Sequence, residues 1–220
     1  ELLLRKAEAA LEPQADGRAT DEEVAFHTAR ALSLLSSNEA NRRLIVQHRG
    51  LPIMYALCRQ ADTDVQAEAA TVLANVTAAS WEAQLRVCSD GVVQLLLYLC
   101  SSTHHEVRAA AARAVANLTQ NIDNEPALRA ARCHVALFAC LDSGSEDVRW
   151  QCKRALANLE AARLLAGLRK YGGPTVIVVP AGEVAAICKH ADVANVGSQR
   201  EVARALANLA AAAPNHPRLL

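Results

Sequence analysis

Aromatic side chains are scarce in this chain. Only 3% of its 220 residues carry a ring, as two Trp, three Tyr and two Phe, and methionine occurs once. Hydrophobic residues nevertheless reach 52%, so the core has to be built from Ala, Leu and Val. Small side chains let helices approach closely, which suits stacked helical hairpins better than a β-sandwich. An excess of charge of either sign is also missing: 23 basic residues face 23 acidic ones. That balance removes the global field expected of a nucleic-acid or anionic-membrane binder, and the few rings offer little for base stacking. Nucleic acid is therefore a disfavoured partner.

The seven cysteines (Cys58, Cys88, Cys100, Cys133, Cys140, Cys152 and Cys188) form no CxxC pair. Zinc and disulfide frameworks need paired spacings, so these residues read as buried thiols in a reducing compartment, the cytoplasm or alternatively the nucleus. No signal peptide stands out, and no apolar run approaches the ~18–20 residues that cross a bilayer. GxSxG, P-loop and HExxH motifs are all absent. His104 and His105 are adjacent at a turn, where the pair is poorly placed to share a tetrahedral metal site. The reading is accordingly non-enzymatic: no catalytic residue, metal, cofactor or small-molecule substrate is implied.

What the chain does have is a recurring phrase. Val72-Leu73-Ala74-Asn75-Val76, Val115-Ala116-Asn117-Leu118, Ala155-Leu156-Ala157-Asn158-Leu159 and Ala205-Leu206-Ala207-Asn208-Leu209 are versions of one helix ending. The asparagines lie 42, 41 and 50 residues apart, and Leu34 stands 41 residues before the first. A period near 41 marks a stacked helical solenoid. Each unit has the same order. In the first full unit Asn41 to Val46 forms a short helix broken at Gly50, and Leu51 to Gln60 a second helix. Asp62-Thr63-Asp64 then caps a third that ends near Thr77. The order returns with Gly91 as breaker and a third helix from Glu106 to Thr119, then with Cys133 as breaker and a third helix from Glu146 to Glu160. Cys133 replaces a glycine, so the bend there should differ.

The reading divides the chain into one array: a partial unit at 1–37, units at 38–79, 80–121, 122–161 and 162–211, and the start of another at 212–220. The unit at 162–211 carries an insertion at about 170–182, where two Pro and three Gly forbid a continuous helix and Thr175 to Val179 is β-branched. The chain reads as a piece of a longer array. Asn75-Val-Thr and Asn117-Leu-Thr match the glycosylation pattern. Both sit at helix ends facing a groove, which argues against modification.

A breaker, a short helix, a capped turn and a long helix ending Ala-Leu-x-Asn-Leu together resemble the armadillo repeat. The phrases that carry the resemblance most specifically are Asn38 through Val46, Val107-Arg108 through Asn117-Leu118 and Val148-Arg149 through Asn158-Leu159. HEAT repeats are the nearest competitor; three helices per unit and the asparagine favour armadillo. The resemblance implies an all-α, right-handed solenoid acting as a scaffold or adaptor. It also implies that the third helices line a concave groove, with Asn75, Asn117, Asn158 and Asn208 bonding the backbone of an extended peptide. An amide both donates and accepts, so that role is physically sound.

One helical turn earlier come Arg30, Thr71, Arg113, Arg154 and Arg204, and another turn back Phe26, Ala67, Ala109, Trp150 and Arg200. Arginine's planar fork holds a carboxylate through two hydrogen bonds. The expected peptide-binding set is Arg30, Thr71, Asn75, Arg113, Asn117, Trp150, Arg154, Asn158, Arg204 and Asn208, and the expected partner is another protein offering an extended acidic segment. The bland alternative pairs the arginines with Glu68, Glu106, Glu146 or Glu201. Nuclear-import armadillo proteins carry tryptophan four residues before the asparagine, where this chain has Thr71, Arg113, Arg154 and Arg204. The pattern looks closer to adhesion, signalling and vacuole-type scaffold members. A purely architectural module within a larger assembly is the rival reading.

Overall fold

The computed structural model describes residues 2–12, 22–142 and 144–170. Among these every regular element is helical. Two helices open the chain, α1 (Leu2–Leu11) and α2 (Glu22–Leu35). Three triplets follow: α3 (Glu39–Gln47), α4 (Gly50–Leu57) and α5 (Thr63–Ala79); α6 (Trp81–Ser89), α7 (Val93–Leu99) and α8 (His105–Leu118); α9 (Glu125–Ala130), α10 (Cys133–Cys140) and α11 (Glu146–Lys170). A short 3₁₀ turn, Ile122–Asn124, leads into α9.

The helix starts follow local chemistry. Asn38 caps α3 by accepting from the amides of Ala40 and Asn41. Asp62 does the same for α5, taking the amides of Asp64 at 2.7 Å and Val65 at 3.2 Å. Ser80 accepts from Ala83 N at the start of α6, and Pro126 stands in the first turn of α9, where it removes no intrahelical bond. These caps satisfy amides that the helix itself leaves orphaned.

The bends between first and second helices correct the sequence reading. The residue in the left-handed region is Arg49 (φ 58°, ψ 31°) in the first triplet, Gly91 (φ 73°) in the second and Arg132 (φ 54°, ψ 35°) in the third. Gly50 is not the breaker; it is the first residue of α4. What it supplies is room, since a Cβ there would lie 2.6 Å from the Ile45 carbonyl oxygen. Cys133 leaves the bend unchanged, because the residue before it adopts nearly the same angles as Arg49. A second difference concerns α11, which continues through Glu160 to Lys170. Ala, Leu and Arg dominate that stretch and no proline stops it. The expected insertion at 170–182 and the units beyond it lie outside the described residues.

The long helices α2, α5, α8 and α11 pack side by side in that order, and α4, α7 and α10 each back the third helix of their own triplet. Alanine makes the close approach possible: Ala69, Ala70 and Ala74 on α5 and Ala110, Ala111, Ala112, Ala114 and Ala116 on α8 are all buried. Buried Leu73, Leu96, Leu99 and Leu118 fill the layer between. Helix α8 is covered on nearly every side, as a helix in the middle of a stack must be. The result is an all-α solenoid with one face formed by the row of third helices.

Candidate functional site: the face of the third helices

Stacking α2, α5, α8 and α11 sets equivalent side chains in a row, and the row reveals how adjacent units are fastened. Asn75 Nδ2 donates to Ser36 Oγ of the preceding third helix at 2.8 Å. Asn158 Nδ2 donates to Thr119 Oγ1 at 3.2 Å. Asn117 Nδ2 reaches the Ala74 carbonyl at 2.9 Å. The hydroxyls in turn bond carbonyls at the end of their own helices: Ser36 to Ser33, Thr77 to Leu73 and Ala74, Thr119 to Ala116.

Ser36, Thr77 and Thr119 are therefore part of the site although they were not among the sequence candidates. Their signal was present, as a hydroxyl two residues after Leu34, Asn75 and Asn117. The apparent glycosylation patterns fall on these packed helix ends: Thr77 and Thr119 are buried, and Asn117 is only 4% exposed.

The amides are not equivalent. Asn117 has both ends engaged, because its Oδ1 accepts from Arg154 Nη2 at 2.9 Å. Asn158 is 3% exposed, and its Oδ1 lies buried without a partner. Asn75 alone of these three keeps an accessible side.

The arginines one turn earlier differ in the same way. Arg30 is exposed, with its guanidinium carbon 5.9 Å from the centre of the Phe26 ring. Thr71 is half-buried with no charge to offer. Arg113 is half-buried, and its Nε is shielded from water without a hydrogen bond. Arg154 lies 5.1 Å over the ring of Trp150, a cation–π contact, while bonded to Asn117. The structure thus brings Trp150, Arg154 and Asn117 into one unit. Arg204 and Asn208 lie outside the described residues.

The electrostatics point one way. Ion pairs among the described residues include Arg43–Glu39 and Arg129–Glu125, and none joins Arg30, Arg113 or Arg154 to a carboxylate. Burial pushes the Arg154 pKa below the ordinary arginine range, against a smaller opposing pull from Asp147. A cation that has lost water, with a ring and an amide in contact and a carboxylate acting only weakly, is stabilised by an arriving anion. No group of His, Cys, Asp or Glu among the described residues is arranged to hold a metal.

A helical solenoid of stacked armadillo-type triplets, with amide, guanidinium and aromatic side chains set in one row, is a protein-binding scaffold by class. The Armadillo/beta-catenin-like repeat model matches residues 38–78 and 83–120. The Vacuolar protein 8 of Schizosaccharomyces pombe is 31% identical over 105 residues, which is 47% of this chain and 19% of that protein. An engineered protein of known crystal structure is 28% identical with a TM-score of 0.65, over 94% of this chain and 47% of its own. A designed armadillo repeat protein solved with the peptide (KR)4 shares the fold at a TM-score of 0.64 and 20% identity, covering 95% of this chain and 100% of its own. The chain thus contains armadillo-type repeats over residues 38–78 and 83–120. It spans about a fifth of the length of the yeast relative.

Proposed function

We propose that the face of the third helices holds an extended, acidic segment of another protein, and that the chain acts as a scaffold or adaptor through it. The observation that carries this reading is that no carboxylate lies within ion-pair distance of Arg30, Arg113 or Arg154, on one face of a chain with zero net charge, Asp147 acting on Arg154 only from further off. Arg113 has a desolvated Nε and Arg154 a depressed pKa, so both offer a charge that water no longer fully solvates. Each can take a carboxylate through two hydrogen bonds. Asn75, the amide with an accessible side, is the one suited to contact the bound backbone. Asn117 acts indirectly, by holding Arg154 over Trp150.

The designed armadillo repeat protein solved with a Lys/Arg peptide gives a useful contrast. A basic peptide here would meet the arginines with like charge, so the preferences should be opposite. The same argument sets aside a nuclear-import role. The test is the double charge reversal Arg113→Glu/Arg154→Glu with a fluorescent acidic decapeptide in an anisotropy titration. Affinity should fall by about tenfold or more, equivalent to at least ~1.4 kcal/mol. Equal affinity for the peptide in the reversed and original proteins would rule the reading out.

A further inference from the structure

Two turns of neighbouring units, the one after α7 and the one after α10, frame an open cleft of about 450 Å³. Cys100, Ser102, Thr103, Arg108, Cys140 and Asp142 line it. Cys100 and Cys140 occupy the same place in successive units, at the C-terminal end of the second helix, as Cys58 does one unit earlier. The stack brings the two later ones together: Cys140 Sγ donates to the Cys100 carbonyl oxygen at 3.4 Å across 40 residues of sequence. Cys152, on α11, belongs to the same buried group, and its thiol and that of Cys100 both act on the Cys140 sulfur. All three are unpaired thiols.

We infer that Cys140 and Cys100 form an oxidisable pair, opened to small hydroperoxides by this cleft, whose disulfide would staple the second and third triplets together. Hydrogen peroxide, with two heavy atoms, is small against the volume of the cleft. The chemistry balances in two steps. The Cys140 thiolate attacks one peroxide oxygen and the O–O bond breaks, giving a sulfenic acid and hydroxide, which takes up the thiol proton as water. The Cys100 thiolate then attacks the sulfenic sulfur, the S–O bond breaks, and hydroxide leaves with the Cys100 proton as a second water. Peroxide is reduced and the two thiols are oxidised.

The roles are asymmetric for physical reasons. On losing its proton Cys140 gives up the bond to the Cys100 carbonyl; the Cys100 and Cys152 thiols, with a smaller pull from the Arg108 cation, then lower its pKa against its burial and make it the attacking thiol. Its interaction with Cys140, and then burial, hold Cys100 protonated until the sulfenic acid forms. Arg108 itself is held in place by donating from Nη1 to the Ser102 and Thr103 carbonyls, and its Nε has no partner. Cys58, pushed up to about 12 by burial, provides an internal reference at the equivalent position.

The test treats the reduced 220-residue chain with hydrogen peroxide, blocks remaining thiols by alkylation and maps the digest by mass spectrometry. A peptide pair joined through Cys100 and Cys140, cleaved by a dithiol reductant, is expected before any change at Cys58. In Cys100→Ser a sulfenic-acid trap should label Cys140. A cross-link through Cys152 instead, or a Cys140 that reacts no faster than Cys58, would overturn the assignment.

Discussion

The seam between α2 and α5 and the seam between α8 and α11 use one fastening but present different surfaces. In both, the amide of a third helix donates to a hydroxyl of the preceding one: Asn75 to Ser36, Asn158 to Thr119. Yet Arg30 stands exposed above Phe26, while Arg154 is drawn against Trp150 and tied to Asn117. Across the first seam the equivalents of Arg154 and Asn117 are Thr71 and exposed Leu34, so neither the cation nor the amide oxygen is present there. The two seams thus share a clasp, while the side chains that each row presents depend on the pair that meets across it.

The largest effect should come from breaking the better-connected seam. Asn117→Leu removes a bond across the seam to the Ala74 carbonyl, which keeps Thr77, and takes the acceptor from half-buried Arg154. A loss of about 2–3 kcal/mol in chemical denaturation is expected, against roughly 1 kcal/mol for Asn75→Ala, whose partner Ser36 keeps its own carbonyl. Equal losses would mean the two amides do the same work.

Next in size is the bend. Gly50→Ala places a Cβ against the Ile45 backbone and should cost about 1–3 kcal/mol. A thermal midpoint no lower than the parent's would show that α3 and α4 can separate freely.

Alkali should weaken the stack through its thiols. Cys58, Cys88 and Cys133 are each pushed up to about 12 by burial, from an ordinary value of 9. Between these values the unfolded chain releases thiol protons that the folded chain retains. Stability is thus fully present below pH 9 and lost as pH rises towards about 12. Denaturation midpoints across that window should fall, and Cys58→Ala should flatten the slope; an unchanged slope would remove Cys58 from this account.

The smallest effect tests the left-handed residues. Arg132→Gly relieves a side chain in a disfavoured region and should raise stability by up to about 1 kcal/mol. A decrease would indicate that the Arg132 side chain contributes more than its backbone strain costs.

Much of this architecture is readable from the chain because it is periodic and local. The recurrence of Asn75, Asn117 and Asn158 finds the third helices, and Asp62 announces the start of α5 without help from distant residues. The bends at Arg49 and Arg132 were hidden, since nothing in an arginine advertises positive φ, and the adjacent Gly50 drew attention one residue too far. The engagement of Asn117 was hidden for another reason. Its partners, Ala74 and Arg154, lie 43 and 37 residues away, and only the offset between stacked helices brings them together. A repeat pattern identifies which residues share a row, but not which of them spend their hydrogen bonds on each other.

The central claim is that the arginines of this row choose the charge of the partner. Its most direct measurement is the affinity of the unmodified chain for two extended peptides of equal length, one of Asp and Glu and one of Lys and Arg, at low salt. The acidic peptide should bind about tenfold tighter or better, with the preference shrinking as salt rises. Equal binding, or a preference for the Lys/Arg peptide, would contradict the account.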